Sequence, residues 1–113
     1  MAGSTVQRNA GLTYTLAVTT TPHAAVTIND NTNDQVNYTS FLNTGGNVCA
    51  IRFSQSATLG NASIASDGAG GDYVLPANMT SPLILATPTT PYYLTATGAG
   101  NTTLYATAAA DQS

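Results

Sequence analysis

The clearest feature of the hydrophobic pattern is the apolar run Val48-Cys49-Ala50-Ile51-Arg52-Phe53, which follows the turn residues Gly45-Gly46-Asn47. A short continuous apolar run opened by glycines predicts a strand covered on both faces, central in its sheet. Upstream, Thr13–Val18 alternates strictly, with Tyr14, Leu16 and Val18 on one face. That is the signature of a half-buried strand. After Thr19–His23, Ala24–Ile28 points Val26 and Ile28 inward. Gln35–Leu42 alternates through Val36 and Tyr38, with a bulge expected before Phe41. With the turn at 43–47 and the run at 48–53, it predicts a hairpin with a five-residue loop.

Beyond Phe53 the pattern loosens, and Asn61–Ala65 supports at most a weak edge strand. Tyr73-Val74-Leu75-Pro76 and Pro82–Ala86 read as two short apolar strands. Tyr92–Thr97 and Thr102–Thr107, joined by Gly98-Ala99-Gly100-Asn101, predict a closing hairpin. Residues 1–11 read as a flexible arm, 12–107 as a single sandwich domain and 108–113 as a tail. Eight or nine short strands at roughly ten-residue spacing, without a helix, predict an all-β fold: a small antiparallel β-sandwich or jelly roll.

Composition sharpens this picture. Of 113 residues only 6% are charged, against about 25% in ordinary domains. Lys and Glu are absent, so helix faces lack their usual formers and ion pairs. A surface so poor in charge resists self-association weakly and suits a chain buried against partners. The net charge of −3 argues against nucleic acid and against anionic membranes. Cys49 is the single cysteine, so no intrachain disulfide is possible; within the apolar run it reads as a buried, inert thiol. The amino terminus lacks the layout of a signal peptide, and synthesis in a cytoplasm is expected. The four Asn-X-Ser/Thr sequons, at Asn37, Asn61, Asn78 and Asn101, read as products of an Asn- and Thr-rich composition.

Candidate chemistry is sparse. Asp30–Asp34 lacks the residues of a calcium loop, since its third position is Thr32 and no Glu closes it. Asp67 and Asp72 flank a glycine-rich loop that reads as solvated, and Gly68–Gly71 lacks the Lys of a phosphate loop. One His (His23) and one Cys do not make a zinc site, and His23 is the only imidazole base available to a nucleophile. No catalytic, cofactor or metal site is expected, and the chain does not read as an enzyme. Four residues are interface candidates. Arg52 either pairs with an Asp at a sheet rim or subunit interface, or faces solvent. Tyr92, Tyr93 and Tyr105 offer an aromatic face for sugars or for a protein partner. Alternation sends only one of Tyr92 and Tyr93 inward, which favours core plus one interface tyrosine.

Three stretches resemble a family of small bacteriophage virion structural proteins of the capsid decoration (cement) type. They are the strands Leu16–Thr20 and Ala24–Ile28, the run Asn47–Phe53 ending in an arginine and an aromatic, and the ending Pro91–Thr107 with its Gly-rich turn and Leu/Tyr strand. The resemblance implies a jelly-roll-like protein on the capsid exterior, made in the host bacterial cytoplasm. Its partners would be the major capsid protein and other copies of itself, with no small-molecule ligand. The Gly/Asp loop and the Asn-rich turn depart from the family pattern, and no functional residue carries over. A tail, baseplate or fibre-base component is the alternative within virions. A carbohydrate-binding β-module using the tyrosines is the alternative outside them.

Overall fold

The computed structural model of the protein describes residues 7–29, 36–56, 58–64 and 72–111. Eight strands follow in order: β1 (Gln7–Val18), β2 (Val26–Ile28), β3 (Tyr38–Asn43), β4 (Cys49–Ser54), β5 (Tyr73–Leu75), β6 (Leu83–Ala86), β7 (Tyr92–Gly98) and β8 (Thr102–Asp111). No helix occurs among the described residues. The pairing is that of a long ribbon folded at its middle. β1 pairs with β8, β2 with β7, β3 with β6 and β4 with β5, all antiparallel. Rolling the ribbon sets β8 beside β3 and β7 beside β4. Two four-stranded sheets result: a first sheet ordered β1-β8-β3-β6 and a second ordered β2-β7-β4-β5. This winding is a jelly roll.

The topology corrects both expected hairpins. β3 and β4 lie in different sheets, as do β7 and β8, so residues 44–48 and 99–101 are arches between sheets. Glycine-rich turns serve either purpose. Here the glycines are needed for close approach: a Cβ on Gly45 would lie 2.0 Å from Thr102 Oγ1, and one on Gly98 would lie 2.4 Å from the Gly100 carbonyl. The described strands run past the expected domain bounds of 12–107. β1 starts at Gln7 and pairs as far as Gln7–Asp111, so 7–11 and 108–111 belong to the first sheet. The turn-like Asn9-Ala10-Gly11 falls in a register shift between Asn9 and Thr13, which is why it read as an end. Residues 61–64 form no strand, and the Asp30–Asp34 turn and Gly68–Gly71 lie outside the described residues.

The core fills the space between the sheets. Leu16 and Val18 of β1, Ile28 of β2, and Leu104, Ala106 and Ala108 of β8 are buried as their alternation requires. Cys49, Ala50 and Ile51 are all buried in β4, which runs between β7 and β5 as the central strand that the apolar run predicts. Phe41 of β3 stacks on Phe53 of β4 at 6.3 Å, and Phe53 meets the edge of Tyr92 at 5.9 Å. The first contact joins the two sheets, and the second lies within the second sheet.

The phase of β3 differs from the expectation. Thr39, Phe41 and Asn43 point inward, while Tyr38, Ser40 and Leu42 lie half-buried on the outer face. Two polar residues can enter the core because each finds partners there. Thr39 Oγ1 sits 2.6 Å from the Tyr92 hydroxyl and 3.1 Å from Thr87 Oγ1. Asn43 Nδ2 donates to the carbonyls of Asn47 and Pro76, each at 2.9 Å, and its Oδ1 accepts from the Thr102 hydroxyl.

Candidate functional site

A sandwich offers two outer faces to a partner, and in this molecule they differ. The middle of the second sheet, over β4 and β7, is covered by its own chain. After β4, residues 58–64 fold back over the sheet. Thr97 Oγ1 of β7 donates to the Ala62 carbonyl at 2.7 Å, and Ala62 itself is buried. Arg52 fastens the same segment. Its Nε and Nη2 hold both oxygens of Asp72 at 2.9 and 3.0 Å, while Nη1 donates to the Leu59 carbonyl at 3.1 Å. Asp72 also accepts the Ser63 N–H at 2.8 Å, and its own N–H donates to the Ser63 carbonyl at 2.9 Å. Nearer the β2 edge, Thr95 donates to the His23 carbonyl. Ala50 and Thr95, which point outward from this sheet, are buried as a result.

Arg52 therefore pairs with an Asp inside its own chain, 20 residues away, and ties the loop between β4 and β5 to the sheet. Burial alone would raise the Asp72 carboxyl. The Arg52 hydrogen bonds, the Ser63 N–H and the Arg52 charge together outweigh this and hold it below the usual carboxylate range. A depressed folded-state value contributes stability above the unfolded value of 3.8, and that contribution is lost as pH falls through the folded value. Asp72→Asn is thus expected to melt below the parent protein near neutral pH, and the gap is expected to shrink at about pH 2. Thermal unfolding of both proteins at the two pH values checks this.

The first sheet is bare by comparison. Its register arranges the outward side chains in rows across the strands. One row runs Thr13, Thr107, Ser40 and Ile84. The next runs Thr15, Tyr105 and Leu42, with Pro82 one position beyond the Phe41–Leu83 pair. The small hydroxyl residues of the first row lie beside the bulky side chains of the second, which opens a trough across the sheet. It encloses about 350 Å³ and is lined by Thr13, Ser40, Leu42, Pro82, Tyr105 and Thr107. Thr13 and Thr107 share a hydrogen bond of 2.8 Å between their hydroxyls. Residues 12–18, 38–43, 83–86 and 102–110 contain no charged side chain, so this part of the face is neutral throughout.

Of the four interface candidates, Tyr105 lies on this open face and Tyr93 is half-buried on the outer face of the second sheet, paired with Ser54. Tyr92 is corrected: it is wholly buried, its hydroxyl held by Thr39, and burial pushes that hydroxyl up to about 12. A side chain fully inside the core cannot be an interface contact. Cys49 is buried too, and the same cause lifts its thiol to about 11. His23 holds the Ala24 carbonyl with Nδ1 at 2.7 Å. Among the described residues, no three metal-ligating side chains cluster, and no helix is long and apolar enough to cross a membrane.

Sequence reasoning missed Thr13, Ser40, Leu42, Pro82 and Thr107. Only the alternation of β3 in its correct phase would have set Ser40 and Leu42 on a shared face with Tyr105. No family model, curated protein or solved structure matches the chain.

Proposed function

We propose that this protein is a structural component of a virion, seated on the outside of the capsid by the outer face of its first sheet. The observation that carries the reading is the contrast between the two faces. One is roofed by the chain's own loop and anchored through Arg52, while the other is left open, neutral and shaped by a trough. A neutral face of hydroxyls and apolar side chains binds by area and fit, with no charge to steer the encounter. Single contacts of this kind are modest, and a symmetric shell multiplies them over many copies. The resemblance to decoration proteins supplies the shell as partner. Placing a charge in the trough, argued in the Discussion, tests the face.

A second reading rests on the trough alone. The Tyr105 ring beside a floor of Thr13, Ser40 and Thr107 hydroxyls suits the apolar side and the hydroxyls of a neutral sugar. A glycan screen separates the two: saturable binding lost in Tyr105→Ala favours the sugar module, and its absence leaves the shell.

A further inference from the structure

We propose that the lateral edge formed by β5 and β6 pairs with the same edge of a second copy across a two-fold axis. The placement follows from the arches. The three-residue link between β7 and β8, and the Phe41–Phe53 stack between β3 and β4, lay those strands against each other. With two positions fixed, the sheet orders put β6 over β5 on one side of the sandwich and β1 over β2 on the other. Among the described residues, β5 and β6 are therefore the outermost strands of their sheets on the same side.

This side carries apolar exposure without charge. Among the described residues the exposed large hydrophobics are Leu12, Tyr73, Val74 and Ile84, and the last three lie on β5 and β6. No charged residue occurs in 73–86, and Asp72 next to β5 is engaged by Arg52. The opposite side is guarded differently. β1 carries a register shift between Asn9 and Thr13, a device that spoils edge pairing.

The occupant is a second copy because one operation satisfies both edges. A two-fold axis normal to the sheets brings β6 against its copy and β5 against its copy, each antiparallel. Two four-stranded sheets then continue into two eight-stranded ones. A foreign strand would fill one edge and leave the other open. With strands of four and three residues, the contact falls below the roughly 1,200 Å² of a standard stable interface. Pairing is therefore expected to be weak, concentration-dependent and strongest where copies are crowded.

Sedimentation velocity of the full chain over a concentration series tests this. The expected result is a monomer–dimer equilibrium that Ile84→Lys and Val74→Lys each weaken at least about tenfold, since an edge lysine opposes its own copy. Leu12→Lys, at the opposite edge, is expected to leave the equilibrium unchanged. All three positions are exposed, so folding is retained and is checked by thermal melting. A monomer at every concentration up to about 1 mM, a closed oligomer other than a dimer, or a dimer indifferent to both β5 and β6 lysines would overturn the proposal.

Discussion

Replacing Asn43 with leucine is expected to lower the stability of the fold by about 3 kcal/mol, although leucine is the more apolar side chain. The amide occupies a fully buried position where the chain makes its crossings between sheets. Its Nδ2 serves the arch after β3 at Asn47 and the exit of β5 at Pro76, and its Oδ1 receives the hydroxyl at the start of β8. The backbone follows the same knot, with Thr44 N–H donating to the Thr103 carbonyl and Met79 N–H to the Asn43 carbonyl. Leucine would leave two carbonyls and one hydroxyl without partners, each costing about 1 kcal/mol or more. For a domain of this size the loss corresponds to a fall of roughly 15 °C in Tm. Asn47, whose side chain makes one exposed bond to the Asn101 carbonyl, is expected to cost about 1 kcal/mol or less on replacement by alanine. Thermal unfolding of the two variants side by side measures the difference. Equal melting temperatures would show that the crossings are held by packing rather than by Asn43.

Thr107→Glu is expected to weaken docking to the shell by about 100-fold or more, because it places an unpaired charge at the floor of a neutral interface. The fold should tolerate it. Thr107 is half-buried, and the hydroxyl bond it loses to Thr13 is an exposed one. Thr27→Glu is the matching control, since Thr27 is exposed on β2 of the other sheet. Co-sedimentation with particles stripped of the protein measures both. If Thr107→Glu binds like the parent while Thr27→Glu does not, the docking face is the second sheet and its loop, not the trough.

Much of the fold was legible along the chain, but little of the site was. Tyr14, Leu16 and Val18, then Val26 and Ile28, then the run through Cys49 and Ile51 declared their faces by alternation or by continuous burial. β3 did not, because its inward residues include Thr39 and Asn43, which look like surface residues until their partners at Tyr92 and Thr102 are known. The arches were read as hairpins because Gly45, Gly98 and Gly100 encode a tight turn without saying which sheet receives the next strand. Tyr92 and Tyr93 showed that one must be inside without showing which. The trough depends on register between strands distant in sequence. Thr13 and Thr107 are neighbours only because β1 closes on β8, and Ser40 joins them only because β3 packs on the other side of β8. The sequence leaves Arg52 open between an Asp partner and solvent, because the partner, Asp72, lies across the loop that the pair itself fastens.

The central claim is that the chain is a repeating part of a shell, and copy number tests that most directly. Quantitative mass spectrometry of purified particles, calibrated against the major shell protein, is the measurement. The account predicts on the order of hundreds of copies per particle, in a fixed ratio to the shell subunits. About a dozen copies or fewer would place the protein at a tail or vertex, and none would contradict the virion reading altogether.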